Sequence, residues 1–252
     1  MIRTLVSLVA LTALAACSSN QRPRFSEQII DRALAGAPGQ AQPSKVVARE
    51  IEFSRAAREQ GQWTAFRAFG APGALIHGRN GPIVAEPWLA SQRNPDVAVQ
   101  WAPRAVWMSC NGAVAVSTGR FRDPAGIVGN FITVWERQRN GDYLWAYDVA
   151  SPDNPQPPPK EDDFQDGDIV VTAIDAVAGN IADCHKRDKP APAPPAFSIA
   201  DDFTQGGKVS DDGTLRWRWE HRGSGERRFV VDYFYQGKWQ TGLDQDMPAG
   251  EQ

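Results

Sequence analysis

The chain has 252 residues, of which 42% are hydrophobic and 23% are charged, and its formal net charge at pH 7 is −3. This composition allows a folded core in one large domain or two small ones. The slightly acidic balance and the absence of a basic run exclude nucleic acid as an expected partner.

The N-terminus predicts export and a membrane anchor. Residues 1–16, MIRTLVSLVALTALAA, have the layout of a secretory signal peptide, with one arginine, an apolar run and small residues at its end. The run is shorter than the roughly 20 residues that span a bilayer. Residues 14–17, LAAC, resemble the lipobox of bacterial lipoproteins. This resemblance implies that Cys17 carries acyl chains such as palmitate, and that several chains together anchor the protein stably.

The residue after the cysteine predicts the destination. Ser18 stands where the lipoprotein family's inner-membrane retention signal has Asp, so the resemblance implies a periplasm-facing lipoprotein of the outer membrane. The alternative is an ordinary secreted protein that is cut near Ala16 and keeps Cys17 as a free thiol.

The composition along the chain predicts six segments. Proline and acidic residues separate two regions with regular hydrophobic patterns. The segments are a signal peptide (1–16), a lipidated tether (17–43) with a short amphipathic piece, a first domain (44–151), a linker (152–168), a small β-rich region (169–245) and a tail (246–252).

The first domain opens with helical patterns. Ser44 is the expected N-cap of a helix with one broad apolar face, which Gly61 ends. A shorter helix follows over 63–69. The segments ALIH and PIVA then predict two short strands around the turn GRNG, and Pro87 opens a helical turn.

Longer strands follow, because the hydrophobic period changes to two. Alternation predicts strands over 97–109, 113–122, 130–138 and 143–151, and Asn140-Gly141 is a strong hairpin signal. The C-terminal region predicts three more strands, over 214–222, 227–236 and 237–243. Trp217 and Trp219 share one side of the strand over 214–222, which predicts that this side is a core face packed on the first domain. The alternative is an exposed row of tryptophans that stacks on sugar rings.

The order of these elements resembles the nuclear transport factor 2-like fold, and more specifically its SnoaL and ketosteroid-isomerase-like members. The resemblance covers about 44–151 and depends on the segments VQWAPRAVWMS, AVSTGRF and GNFITVWERQRNGDYLWAYDVAS. It implies an α+β fold in which a cone-shaped, strongly curved antiparallel sheet wraps the N-terminal helices, here with a small C-terminal antiparallel β appendage. The open end of such a cone holds a pocket.

The residues expected near this pocket are four tryptophans and four polar side chains. They are Trp88, Trp101, Trp107, Trp145, Glu50, His77, Arg120 and Asp148. The resemblance implies that Asp148 is a general base, with His77 as its partner. Glu50 lies on the apolar face of the first helix, and it is expected to pair with an arginine such as Arg120; the alternative is a buried acid with a raised pKa.

The two remaining cysteines predict a disulfide. Cys110 and Cys184 form an even pair in an oxidising compartment, although two separate thiols are the alternative. Their spacing to His77 and His185 fits no zinc pattern, and no metal or other cofactor is expected.

Three functions are compatible with these features. The first is a lipid-anchored protein that binds a small apolar ligand or acts as a scaffold. The second is a metal-free isomerase or dehydratase that transfers a proton through Asp148. The third is an interaction module that forms a homodimer through the outer face of the sheet, as the resemblance implies.

Overall fold

The structure, a computed structural model, describes residues 40–158, 176–185, 192–196 and 202–249. The predicted signal peptide, Cys17, most of the tether and most of the linker lie outside these residues. The described residues all belong to one compact unit, Gly36–Gln252. No helix among them is both long enough and apolar enough to cross a membrane.

Within the described residues, three helices precede the long strands: α1 is Pro43–Gln60, α2 is Gln62–Phe69 and α3 is Ala85–Ser91. The predicted N-cap at Ser44 is wrong. The N-cap is Gln42, so helix α1 begins at Pro43, two residues earlier than predicted, because proline has a fixed φ and lacks an N–H that the first turn would leave unpaired. Gly61 separates α1 from α2 at φ 100°, a conformation that L side chains rarely adopt.

The first sheet has seven strands in the order β2-β1-β6-β5-β4-β3-β7. The bounds are β1 Gly70–Gly78, β2 Gly81–Val84, β3 Gln100–Met108, β4 Val114–Arg122, β5 Val128–Arg137, β6 Tyr143–Pro152 and β7 Ala178–Ile181. Neighbouring strands are antiparallel except in the pairs β1–β6 and β3–β7. The antiparallel hairpins over β3 to β6 confirm the α+β prediction.

Irregularities in strand pairing bend this sheet around α1. The register shifts between Pro103 and Ala105 in β3 and between Val134 and Trp135 in β5. Such bulges bend and twist a strand. The sheet therefore has a concave side, which faces the helices, and a convex side.

The second sheet has four antiparallel strands in the order β11-β10-β9-β8. These are β8 Phe203–Val209, β9 Leu215–Arg222, β10 Arg227–Tyr235 and β11 Lys238–Met247. The sequence predicted three of them and missed β8, whose segment FTQGGKV has two glycines and little alternation.

Two hydrophobic cores flank the first sheet. On its concave side, α1 buries Val46 and Phe53 against Trp135 and other residues of the sheet. On its convex side, Trp217 and Trp219 of β9 pack with Tyr147 and the strand interior. The aromatic face of β9 is thus a core face, as its alternation predicted, and the second sheet covers the convex side of the first.

Candidate functional site

A cavity of about 380 Å³ lies between the concave side of the first sheet and the three helices. Aromatic side chains from the helices and from β3 to β5 form much of its wall, among them Phe53, Trp63, Phe66, Trp88, Trp101 and Phe131. Ligand pockets in proteins are of this size and are mostly apolar with a few polar groups. The polar groups of this cavity therefore determine what it can recognise.

The aromatic wall is held by ring-to-ring packing. The Phe53 ring centroid lies 4.8 Å from that of Phe66 and 5.0 Å from that of Trp101, both edge-to-face. Trp63 meets Trp88 edge-to-face at 5.0 Å. Edge-to-face pairs add about 0.5–1.5 kcal/mol each beyond area burial. The cavity is therefore shaped before any ligand arrives.

Asp148 points into the cavity from β6. Its neighbour across the antiparallel ladder is Thr133 of β5, whose hydroxyl donates a hydrogen bond of 2.8 Å to Oδ2 of Asp148. Burial raises the pKa of Asp148 to about 6, and the Thr133 hydroxyl partly opposes this rise. The carboxyl therefore changes protonation state close to neutral pH.

Glu50 lies behind this wall and is fully buried on α1. The Trp101 indole donates to Oε1 at 2.8 Å, while the Ser117 hydroxyl and the Trp135 indole donate to Oε2 at 2.6 and 3.1 Å. Burial is the main cause that raises the pKa of Glu50 to about 7, with a smaller contribution from the charge of Asp148.

The expected ion pair between Glu50 and Arg120 is not present. Arg120 lies on the convex side of β4 and donates to Asp153 at 2.7 Å and to Asn130 at 2.9 Å. The pairing was wrong because Arg120 is an odd number of residues from Ser117, so the two side chains leave the strand on opposite faces. Glu50 instead matches the alternative, a buried acid held by neutral donors.

His77 lies on the other side of the sheet from Asp148. Its Nδ1 is 2.6 Å from the Tyr147 hydroxyl and its Nε2 is 3.0 Å from Nδ1 of His221 in the second sheet. Burial, and then the charges of His221 and Arg227, lower the pKa of His77 to about 3. His77 and Asp148 both line the cavity, but the two ring nitrogens of His77 are engaged with Tyr147 and His221 between the sheets rather than with Asp148. The register explains this, since Ile76 rather than His77 pairs with Asp148.

The four predicted tryptophans separate into two groups. Trp88 and Trp101 line the cavity. Trp107 is on the convex side, in the core between the sheets, and Trp145 is fully buried with its indole donating to the Phe66 carbonyl at 3.0 Å. The prediction that Trp107 and Trp145 lie near this pocket is therefore wrong. Trp107 is an even number of residues from Trp101, and the register shift between Pro103 and Ala105 moves it to the opposite face of the sheet.

The sequence did not indicate two arginines that line the cavity. Arg79 lies in the turn after β1, and Arg227 is the first residue of β10 in the second sheet. Arg79 stands in the quoted turn GRNG, and the alternation of RRFVVDY could have placed Arg227 on the inner face. Neither signal indicates a cavity, because only the packing of the two sheets brings Arg227 there.

The predicted disulfide is confirmed. Cys110 and Cys184 are bonded, with their Cα atoms 5.1 Å apart, and they join the turn after β3 to the segment after β7. Within the described ranges, no group of three or more histidine, cysteine or acidic residues is arranged to hold a metal ion.

The convex face, on which the dimerisation alternative depends, is covered. The second sheet places Leu215, Trp217, Phe229 and Val231 against it and buries them. The second sheet therefore occupies the face through which the resemblance implies a homodimer.

Comparisons with known proteins give only a likeness of fold. No family model and no curated protein matches the chain. Among solved structures, nuclear transport factor 2 of Cryptosporidium parvum is 14% identical with a TM-score of 0.34, and the match covers 44% of this chain and 94% of that one. A protein of Shewanella frigidimarina assigned as a ketosteroid isomerase is 14% identical with a TM-score of 0.30, covering 42% and 94%.

Proposed function

We propose that this protein binds a small, mainly apolar ligand in the cavity of the first sheet. The observation that carries the proposal is the aromatic cavity of about 380 Å³, which opens between packed rings and contains the Asp148 carboxyl. Apolar surface transferred from water into such a site contributes about 25 cal/mol per Å². The rings of the wall pack on one another without a ligand, which reduces the ordering that binding requires.

Dye binding tests this proposal. N-phenyl-1-naphthylamine, an uncharged dye with two aromatic ring systems, is titrated into the purified protein, and its fluorescence is followed with excitation of the dye. We expect saturable binding in the wild type. An Ala150→Trp variant should lose it, because Ala150 lines the cavity and an indole there fills the space.

The matched control adds the same indole outside the cavity. Ile51 is 54% exposed on α1, so Ile51→Trp should leave dye binding unchanged. Equal binding by wild type and Ala150→Trp would contradict the proposal, because the dye would then lie elsewhere.

The location is a second part of the proposal. The lipobox-like LAAC at 14–17 and the preceding apolar run support a protein that acyl chains on Cys17 hold at the outer membrane, facing the periplasm. Labelled palmitate should enter the wild type but not a Cys17→Ala variant, and that variant should move to the soluble fraction. A Cys17→Ala variant that still sediments with membranes would contradict the anchor.

A second candidate function is proton transfer by Asp148. The favouring observation is a carboxyl with a pKa of about 6 in an aromatic cavity, since a general base works best when its pKa is near the operating pH. β-Tetralone, an apolar ketone with acidic C–H bonds, tests it. In deuterated buffer, the wild type should accelerate deuterium uptake more as pH rises through 6, and Asp148→Asn should not. Equal uptake with both proteins would leave ligand binding as the function.

A further inference from the structure

One end of the cavity carries positive charge. Arg79 and Arg227 both line it, and Arg227 reaches the ends of β1 and β6, where its Nη1 donates to the His77 carbonyl at 3.1 Å and to the Ala150 carbonyl at 3.3 Å. The two arginines come from different sheets, so this end exists only where the sheets meet.

Arg227 is fixed and deeply buried. Arg227 is 7% exposed, and its Nη2 donates a hydrogen bond to the Pro248 carbonyl at 3.3 Å. Its Nε–H is also buried and has no acceptor among the described residues. Backbone carbonyls therefore hold the guanidinium in place, while one of its donors stays unused.

No carboxylate of the described residues balances this charge. Neither Arg79 nor Arg227 forms an ion pair within the described ranges. Burial lowers the pKa of Arg227, and the Tyr147 phenol opposes this shift. Burial raises the pKa of the Tyr147 phenol itself far above neutral pH. A buried charge without a partner is costly, and buried charges in proteins are normally paired.

Asp148 does not fill this role. It lies two residues before Ala150 on β6, so about 7 Å separates the two Cα positions. Its pKa depends on burial and on Thr133, with no contribution from an arginine. The cavity thus has two cationic side chains and one carboxyl, an excess of one positive charge at neutral pH.

We propose that the ligand is an apolar molecule with one anionic group, of the carboxylate or sulfonate class, and that Arg227 and Arg79 bind this group. The inference rests on the proposed ligand-binding function and names the class of ligand. The apolar body lies against the aromatic wall, and the anion supplies the charge that Arg227 lacks. The second sheet then contributes directly to the binding site in addition to covering the convex face.

Two dyes with the same aromatic body test this. 1-Anilinonaphthalene-8-sulfonate is N-phenyl-1-naphthylamine with one sulfonate added, so a comparison of their dissociation constants isolates the anionic group. We expect the purified wild type to bind the sulfonate dye at least about tenfold more tightly, which is the gain typical of hydrogen bonds to charged groups. Equal or weaker binding of the sulfonate dye would overturn the inference.

Single substitutions then assign the preference to residues. Arg227→Gln and Arg79→Gln should each weaken binding of the sulfonate dye by about tenfold and leave binding of the neutral dye unchanged. Arg228→Gln is the matched control, because Arg228 follows Arg227 on β10 yet faces outward and pairs with Asp244 at 2.6 Å. It removes the same charge and should change neither dye.

Outcomes separate this inference from the proposed function. Arg79 is exposed, so Arg79→Gln should fold normally even if the loss of Arg227 disturbs the sheet contact. Suppose that Arg79→Gln leaves binding of the sulfonate dye unchanged and that Arg227→Gln weakens binding of both dyes equally. The anion site is then refuted, while the proposal of apolar ligand binding stands. If neither dye binds, or if Ala150→Trp affects neither, both the inference and the proposed function are refuted.

Discussion

The ionised form of Asp148 should destabilise the fold, and removal of its charge should therefore stabilise it. Burial raises the pKa of Asp148 from 3.8 to about 6. The folded state consequently holds the proton more tightly than the unfolded chain does. As pH rises from 3.8, the unfolded chain ionises first, and stability falls until pH passes about 6. The ionised Asp148 therefore lowers the free energy of unfolding by its full amount above pH 6 and not at all below pH 3.8.

The magnitude follows from the size of the shift. One pH unit of pKa shift corresponds to about 1.4 kcal/mol, so the difference between 3.8 and about 6 amounts to at most about 3 kcal/mol. The cost is an upper bound because the carboxyl is partly exposed to the cavity, where water weakens the penalty. Asp148→Asn keeps an oxygen that can accept from Thr133, so it removes the charge without losing that hydrogen bond.

Urea denaturation at two pH values measures this effect. Asp148→Asn should unfold at a higher urea concentration than the wild type at pH 8, with a gain of up to about 3 kcal/mol, and should match it near pH 4. The control is Asp96→Asn, which removes a charge from an exposed loop residue and should change little at either pH. A gain that is the same at pH 8 and pH 4, or no gain at pH 8, would refute the reasoning.

Three further predictions concern groups around the site. The His77 contribution to stability should fall on acidification from pH 6.5 toward 3, by up to about 1.4 kcal/mol per pH unit, because unfolded His77 gains a proton that folded His77 excludes. Asp148 acts in the opposite direction between pH 6 and 3.8, so the measured quantity is the difference in pH slope between wild type and His77→Gln in urea titrations, and identical slopes would contradict this. Reduction of the Cys110–Cys184 bond, which spans 74 residues, should lower the free energy of unfolding by about 4 kcal/mol in the chain-entropy model. An unchanged thermal unfolding midpoint after reduction would argue against this. Ser117→Ala should raise the pKa of Glu50 above about 7, because it removes a donor that favours the ionised form. The ¹³C shift of the Glu50 carboxyl, followed against pH, measures this pKa, and an unchanged titration midpoint would exclude Ser117 as that donor.

The sequence predicted elements well where a local rule decides the outcome. Asn140-Gly141 predicted the turn between β5 and β6, and alternation in β9 placed Trp217 and Trp219 on the buried face. Both signals depend on neighbouring residues alone, because turn geometry and the two-residue period of a strand are local properties. The disulfide between Cys110 and Cys184 was predicted because the expected compartment and an even count favour it.

The site was predicted less well because its members come from distant parts of the chain. Asp148, Glu50 and Trp101 were named from the sequence, yet the partners assigned to the two acids were wrong: Asp148 bonds Thr133, and Glu50 bonds two indoles and Ser117. Which face each strand presents depends on its register, and a shift of one residue moves a side chain to the other side of the sheet. That is why His77 and Trp107 lie between the two sheets.

Sequence alone predicted most of the helices and strands and the buried aromatic side of β9, while the export signal and the lipidation of Cys17 stay predictions. Tertiary structure decided what meets in the cavity. The second sheet packs on the convex face of the first and carries Arg227 to the ends of β1 and β6, where its charge has no carboxylate partner among the described residues. The physical reason is range: strand period and turn geometry depend on adjacent residues, whereas burial, charge balance and pKa depend on side chains that only the folded chain brings together.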